Sequence, residues 1–335
     1  MILVDLMGGD HAPQSVIDGV RLFLHDDPTA RVGLIGHPDV LAGPRHDMPA
    51  GRVELIPATE IIENEDQPAL AVRRKRDSSI VVGMRRVAEG AADVFVSCGS
   101  TGALMTAGLF AFGRLPGVRR PALGGVFPNL ARPDGNPWFM LDIGANVDAT
   151  PDDLRSYAVI GSVYAALVME IPNPRVGLLN VGVEEHKGSE TYRKAYGLLG
   201  ATTLNFAGNI EARELFSSPA DVVVCDGFVG NILLKGLEGL VGGLAAGMRH
   251  ELQGSFRGKI GGALAKPCLR RALGRLDYTA HGGAPLFGLA GPCIKCHGSS
   301  NAGAVRSGLR VARDFVASGA LAAMSTALGE QAGAP

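Results

Sequence analysis

Short apolar runs alternate with longer amphipathic segments along this chain of 335 residues. Valine, isoleucine and leucine dominate the runs, which is typical of strands buried on both faces. The runs predict strands at residues 2–5, 31–35, 53–56, 94–97, 139–143, 176–181 and 222–225. The order of strands and intervening segments therefore predicts a sheet whose strands are connected through helices.

The intervening segments carry apolar residues at helical spacing. Val16, Val20 and Phe23 fall at i, i+4 and i+7, and the threonine, proline and two aspartates of residues 150–153 predict a helix start. Strand–helix alternation favours an α/β fold, a doubly wound and largely parallel sheet in an α/β/α sandwich. Since neither a repeat nor a long linker interrupts it, we expect a single α/β domain over residues 1–335.

One segment departs from the alternation. Residues 249–275 hold seven basic side chains and one acid, Glu251, which gives a local charge of +6. We expect residues 240–280 to form a helical insertion that protrudes from the domain. A solvated basic helix with one core face would account for the same pattern.

Apolar residues share the faces of this basic segment. Phe256, Ile260 and Leu264 fall at i, i+4 and i+8, and Pro267 is expected to break the helix. Such a stripe beside positive charge is typical of helices that contact an acidic protein or an anionic membrane. The candidate contact residues are Phe256, Arg257, Lys259, Ile260, Arg270 and Arg271.

Composition limits the classes of partner and location. Hydrophobic residues make up 46% of the chain and charged residues 19%, which favours a large core, and a net charge of −1 gives no general attraction to nucleic acid. The N-terminus enters a strand pattern without a signal sequence, so a cytoplasmic protein is expected. The apolar stretch 102–113 is too short to span a membrane, and the stretch 232–248 is interrupted by Lys235 and Glu238. Any membrane contact is therefore expected to be peripheral.

The chain has five cysteines, an odd number in an apparently cytoplasmic protein, so buried free thiols are expected. Residues 293–297 match the C-x-x-C-H spacing of haem attachment, which requires an exported chain. No second Cys/His cluster completes a zinc site. We therefore expect neither a metal nor a cofactor.

Three turns rich in glycine and hydroxyl groups, at residues 5–13, 96–103 and 297–301, each precede a helix. Backbone N–H groups in such turns suit an anion, although a helix cap would have the same residues. Together the turns predict a phosphate-rich site. Its candidate residues are Gly8, Gly9, Asp10, His11, Ser100, Thr101, Gly102, His297, Ser299, Ser300 and Asn301.

Charged and amide side chains follow two predicted strands, at residues 184–188 and 226–231. Lys187 can bind phosphate as a point charge and Asn231 can donate to a developing oxyanion, although surface and turn residues look alike in sequence. The candidate residues beside them are Glu184, Glu185 and Asp226. The P-loop, the dinucleotide-binding glycine pattern and the G-x-S-x-G nucleophile motif are all missing from the sequence.

Seven strings, in this order, strongly resemble the bacterial phosphate:acyl-carrier-protein acyltransferase family. They lie at residues 5–13, 99–104, 141–146, 180–188, 208–211, 225–231 and 294–302. The resemblance spans nearly the whole chain. It departs from the family at Leu6, where alanine is more usual, and at Cys98, Cys293 and Cys296, where residues are usually small or apolar.

The resemblance implies an enzyme that transfers a fatty acyl group from acyl carrier protein to inorganic phosphate. The acyl phosphate would supply a membrane glycerol-3-phosphate acyltransferase in phospholipid synthesis. It also implies a homodimer without a metal, in a fold similar to those of phosphate acetyltransferases and the isocitrate dehydrogenase group. The domain would then be catalytic.

Transfer between a thioester and phosphate depends mainly on positioning, because phosphate is already an anionic nucleophile. We expect Lys187 to neutralise phosphate, Asn231 to orient the carbonyl, and His297 or His11 to manage protons. The phosphate cradle is assigned to Ser100, Thr101, Ser299 and Ser300, and Asn146 joins the substrate-binding residues.

Two other classes stay open. A nicotinamide-dependent dehydrogenase of related fold would need metal-binding aspartates on one helix face, and the sequence shows no such pattern. A non-catalytic scaffold for carrier protein or membrane would keep the basic segment but form no product.

Overall fold

The computed structural model describes residues 1–43, 48–129, 135–217, 220–276 and 282–332. Residues 277–280 of the expected insertion lie outside the described residues. The strands are β1 (Ile2–Asp5), β2 (Val32–Gly36), β3 (Val53–Pro57), β4 (Val94–Ser97), β5 (Ala122–Phe127), β6 (Trp138–Leu141), β7 (Val176–Asn180), β8 (Phe206–Glu211), β9 (Val222–Val224), β10 (Ala284–Phe287) and β11 (Cys293–Lys295). The α-helices are α1 (Gln14–Asp26), α2 (Pro38–Leu41), α3 (Pro68–Arg74), α4 (Ser79–Ala88), α5 (Thr101–Ala111), α6 (Pro151–Leu167), α7 (Glu190–Gly200), α8 (Gly227–Gln253), α9 (Phe256–Leu276), α10 (Ala302–Ala317) and α11 (Ala320–Ala332).

The described strands form one sheet of 11 strands in the order β3-β2-β1-β4-β11-β10-β5-β6-β9-β7-β8. The first five strands of this order are parallel to one another, and so are the last four. We call them the first block and the second block. The strands β10 and β5 join the blocks through antiparallel pairings. The predicted α/β fold with a largely parallel sheet is confirmed.

The seven predicted strands correspond to β1, β2, β3, β4, β6, β7 and β9, with ends that differ by at most two residues. The sequence missed β5, β8, β10 and β11. Two glycines interrupt β5, β8 is partly polar, β10 contains Pro285, and β11 is three residues long. These strands lack the continuous β-branched run that indicates a buried strand.

Helices cover both faces of the first block. Val4 of β1 packs in a cluster with residues of α1 and α10, whereas Leu3 packs on the other face with residues of α4 and α5. The predicted start of α6 is confirmed, since Thr150 and Asp153 form a capping box. Of the five cysteines, Cys268 is exposed and the other four are buried free thiols.

The basic segment lies in two helices, α8 and α9, that pack against each other and that we call the hairpin. The expected break at Pro267 is wrong, because α9 continues through that residue. Proline removes one hydrogen bond, but the flanking alanine, leucine and arginine residues favour a helix. The hairpin begins earlier than expected, at Gly227, and the buried residues of its first helix lie at its start: Gly227, Gly230 and Leu234.

Among the described residues, α8 is the one helix that is long and apolar enough to cross a membrane by length and composition alone. This finding differs from the expectation for residues 232–248, because an 18-residue stretch of the longer helix is apolar enough with no more than two charged residues. The helix is mostly exposed, but its first turns are packed into the protein.

Candidate functional site

A cleft of about 270 Å³ lies where the two blocks meet through β5 and β10. The first block contributes Thr101 and the turn after β11, and the second block contributes Gly144 and the first turns of α8. Four of the candidate residues line this cleft. They are Thr101, Asn231, His297 and Ser300. The cleft therefore brings one anion-suited turn and the predicted oxyanion donor together.

The turns after β1, β4 and β11 meet beside the cleft. The backbone N–H of Asp10 donates to the carbonyl oxygen of Gly298 at 2.8 Å. A Cβ atom at Gly8 would lie 2.5 Å from the backbone nitrogen of Gly99, so this approach requires glycine. Gly9 has a φ of +108°, and a Cβ atom there would lie 2.8 Å from Cys98 Cβ and 3.1 Å from the carbonyl oxygen of Gly298. The three turns thus lie against one another in the structure.

A buried carboxylate supports this grouping. The Ser97 hydroxyl donates to Asp5 Oδ2 at 2.6 Å, and the Gly99 N–H donates to Ser97 Oγ at 2.9 Å. The N–H of Met7 donates to Asp5 Oδ1 at 2.9 Å. Asp5 and Ser97 were not among the predicted site residues, because an acid and a serine at strand ends resemble ordinary surface residues until the neighbouring strand is known.

Several candidate residues of these turns have structural tasks. Ser100 Oγ accepts from the N–H of Ala103 at 3.4 Å, and Asn301 Oδ1 accepts from Ala304 at 3.0 Å, so both residues cap helices. A Cβ at Gly102 would meet Pro68 at 2.8 Å. Asp10 and His11 are exposed and do not line the cleft.

His297 has a defined ring tautomer when neutral. Its Nδ1 accepts from the backbone N–H of Ser299 at 3.2 Å and lies 2.8 Å from Ser299 Oγ. The ring proton is therefore on Nε2. Burial lowers the pKa of His297, and the nearby charge of Lys235 acts in the same direction. Both effects favour the neutral imidazole, which would donate from Nε2 and is oriented by Ser299.

The carboxyl end of β6 is organised around Asp142, which is fully buried. Its carboxylate accepts from the backbone N–H groups of Leu123, Gly144, Ala145 and Asn146 at 2.7–3.1 Å. Burial raises the pKa of Asp142, and these four hydrogen bonds act in the opposite direction. The result is a rigid turn that ends beside Asn231.

Asn146 belongs to this turn and not to the cleft. Its side chain is buried, and its amide donates to Asp142 Oδ2 at 3.2 Å and to the Tyr157 hydroxyl at 3.0 Å. Both contacts lie inside the protein, so the amide of Asn146 stabilises the Asp142 turn.

The start of α8 positions Asn231. Asp226 caps the helix, because its Oδ1 accepts from the Val229 N–H at 2.8 Å and its Oδ2 accepts from the Tyr192 hydroxyl at 2.8 Å. Asn231 Oδ1 lies 3.2 Å from the position that a Cβ atom of Gly144 would take. Asp226 therefore positions Asn231 by capping the helix that carries it.

Replacing Gly230 with alanine tests this packing. The new Cβ would lie 1.9 Å from the carbonyl oxygen of Asp142, which is backbone and cannot rotate away. We expect the free energy of unfolding to fall by about 3 kcal/mol, the upper part of the range for overpacked sites. Chemical denaturation measures it.

The matched control is Gly236→Ala on the same helix, where a Cβ meets nothing within 4 Å. Because alanine favours helix more than glycine, this variant should gain about 0.5–1 kcal/mol. Equal stabilities of the two variants would contradict the close packing of α8 on the Asp142 turn.

Lys187 lies on the loop after β7 and does not line the cleft. Its N–H donates to the carbonyl oxygen of Glu184 at 3.1 Å, and its own carbonyl oxygen accepts from Asn180 Nδ2 at 3.2 Å. The side chain is half-buried, whereas those of Glu184 and Glu185 are exposed. The structure thus places this loop at the carboxyl end of the second block, outside the lining of the cleft.

Two lysines that line the cleft were not among the predicted site residues: Lys235 and Lys295. Lys235 lies four residues after Asn231, a spacing that places both on one helix face and was readable from the sequence. Lys295 lies at the end of β11, which the sequence did not predict. Within the described ranges, no group of three or more His, Cys, Asp or Glu side chains is arranged to hold a metal ion.

Comparisons with known proteins agree with the fold and the sequence motifs. A family model described as "Fatty acid synthesis protein" matches residues 1–323. A phosphate acyltransferase of Bacillus pumilus (strain SAFR-032) is 47% identical over 315 residues, which cover 94% of this chain and 93% of the relative. A phosphate acyltransferase of Bacillus thuringiensis (strain Al Hakam) is 44% identical over 327 residues, 98% of each chain.

Solved structures share the fold at low sequence identity. A phosphotransacetylase from Streptococcus pyogenes aligns with a TM-score of 0.62 and 16% identity over 95% of this chain and 94% of its own. A branched-chain phosphotransacylase from Enterococcus faecalis V583 aligns with a TM-score of 0.57 and 15% identity over 94% of this chain and 100% of its own. Given the relatives at 44–47% identity and the family model that spans residues 1–323, the chain belongs to the fatty acid synthesis protein family, which its phosphate acyltransferase relatives represent.

Proposed function

We propose that the cleft binds inorganic phosphate beside the thioester of an acyl carrier protein and transfers the acyl group to phosphate. One observation supports this most directly: the turn at residues 297–300 and Asn231 line the same cleft of about 270 Å³. The turn suits an anion, and the amide suits a carbonyl oxygen. The relatives' name, phosphate acyltransferase, fits the same reaction.

In this reaction a phosphate oxygen attacks the carbonyl carbon of the thioester. The new C–O bond forms, the C–S bond breaks, and the carrier thiol leaves as a thiolate that takes up a proton. Asn231 would donate to the carbonyl oxygen as it gains negative charge. The Nε2 proton of neutral His297 would donate a hydrogen bond to an oxyanion or to the leaving sulfur. Lys187 would add positive charge from the second block.

The assay for this function supplies purified acyl-acyl carrier protein and phosphate to the protein and measures acyl phosphate and free carrier protein. Formation of both products in equal amounts is expected. A non-catalytic scaffold would release neither product, and a dehydrogenase would instead depend on a nicotinamide cofactor.

We further propose that residues 1–335 act as one catalytic domain with the hairpin as its insertion. The candidate contact residues of the hairpin are all exposed, and Phe256 retains 79% of its accessible surface. Between α8 and α9 lies a groove of about 790 Å³, where Met248, Leu252 and Leu269 are accompanied by basic residues. This surface suits an acidic carrier protein or an anionic membrane.

The same surface bears on location and assembly. A cytoplasmic enzyme with peripheral membrane contact would deliver acyl phosphate to a membrane glycerol-3-phosphate acyltransferase. The exposed apolar residues of α8, Leu240 and Leu244, also suit contact with a second copy in a homodimer.

Substitutions in the hairpin can distinguish membrane binding from carrier-protein binding. Exchanging Phe256 and Ile260 for serine should reduce binding to anionic liposomes, because apolar burial is lost. Exchanging Arg270 and Arg271 for glutamate should mainly slow association with carrier protein. Binding of carrier protein to the parent should weaken as the salt concentration rises. Liposome sedimentation and stopped-flow binding measure these effects. Unchanged binding in both variants would make the hairpin an ordinary solvated or dimer-packing element.

A further inference from the structure

The cleft contains two lysines whose charges are compensated differently. Lys235 Nζ forms an ion pair with Glu238 at 2.8 Å. Lys295 Nζ donates to the carbonyl oxygen of Cys98 at 3.2 Å and to that of Cys296, and within the described ranges it reaches no carboxylate. An ammonium has three donors, so one N–H of Lys295 remains for a ligand.

Burial makes this arrangement costly without an anion. Burial lowers the pKa of the Lys295 ammonium, while the neighbouring thiols and the carboxylate of Asp10 act in the opposite direction. Within the described ranges no carboxylate contacts this half-buried ammonium, so a bound anion would offset the cost of its desolvation. The Lys295 ammonium is therefore suited to form an ion pair with an anionic ligand.

The two carbonyl contacts of Lys295 place its ammonium between two anion-suited turns. Cys98 begins the turn that leads into α5, whose first residue Thr101 lines the cleft. Cys296 begins the turn that carries His297 and Ser300. The ammonium thus links the starts of two turns that each lead into a helix N-terminus, a setting that suits phosphate oxygens.

We propose that Lys295 is the residue that binds the phosphate nucleophile and holds it between these two turns. The inference rests on the proposed function for the identity of the anion, but its geometry concerns phosphate binding alone. Lys187 and Lys235 are then not the main phosphate ligands, since one lies outside the cleft lining and the other is paired with Glu238.

Phosphate binding without an acyl donor tests the proposal. Isothermal calorimetry with inorganic phosphate should show that Lys295→Met weakens binding at least about tenfold, because a charge-assisted contact is lost. Lys295→Arg should retain most of the affinity. The control Lys194→Met removes an exposed lysine that pairs with Glu190, and it should bind phosphate like the parent.

The pH dependence gives a readout that a purely structural role would not change. Lys295 is charged below its lowered pKa, so phosphate affinity should be lost as pH rises through that value, below the ordinary 10.5. The arginine variant should keep its affinity there, because a guanidinium stays charged. The titratable groups that face Lys295 are Cys98, Cys293, Cys296, Asp10 and His297. Measurements above about pH 8 keep phosphate itself dianionic.

The outcomes separate this inference from the proposed function. Phosphate binding in the parent without acyl phosphate formation would leave the Lys295 site standing and overturn the function. Acyl phosphate formation with unchanged phosphate affinity in Lys295→Met would overturn the inference alone. A parent that does not bind phosphate would also overturn it. If Lys295→Met does not fold, coinciding pH profiles of the parent and Lys295→Arg would reject the proposal.

Discussion

Replacing Asn231 with alanine is expected to lower kcat about a hundredfold, the effect of removing a single donor to an oxyanion. Asn231 lines the same cleft as His297, and the Asp142 turn and the Asp226 cap hold its helix in place. We therefore expect its amide to reach the thioester carbonyl without reorganisation. Steady-state rates of acyl phosphate formation give the measurement.

Two controls make this result specific. Asn205→Ala removes a half-buried asparagine that does not line the cleft and whose amide donates to the carbonyl oxygen of Asn173, and its rate should match the parent. Denaturation should show that Asn231→Ala remains folded, because Asn231 is exposed on the helix. A rise in the KM for phosphate with unchanged kcat would instead assign Asn231 to phosphate binding.

Replacing Lys187 with alanine is expected to remove most turnover, at least about tenfold, while the fold remains intact. The side chain is the half-buried cation at the carboxyl end of β7, on a loop held by hydrogen bonds to Asn180 and Glu184. Because Lys187 does not line the cleft, we expect its charge to act when the acyl donor is bound. The rate should therefore fall with little change in phosphate affinity measured without donor.

The control for Lys187→Ala is Lys194→Ala on α7, which removes an exposed positive charge of the same kind. A rate near that of the parent in Lys187→Ala would reject a catalytic role for this lysine. A loss of phosphate affinity without donor would show that Lys187, and not Lys295 alone, holds the nucleophile.

The glycine-rich turns illustrate how far local sequence determines a site. Gly8 and Gly9 were predicted as anion-suited residues from their place between a strand and a helix, and the structure brings both against the turn after β4. The same reasoning included Ser100 and Asn301, whose side chains cap helices. Caps and phosphate ligands use the same residue types, so sequence alone does not separate them.

The sequence by itself determined seven of the nine strands of the two parallel blocks, since a strand buried on both faces needs a continuous apolar run. It also determined the family, through strings such as residues 225–231 and 294–302. Only the tertiary structure decided how β5 and β10 join the blocks in opposite directions. That junction creates the cleft, places Lys295 beside it and leaves Lys187 outside its lining. The physical reason is that hydrophobic periodicity indicates which face of a helix or strand is buried. Hydrogen bonds to residues far along the chain decide which strand pairs with which, and periodicity does not report them.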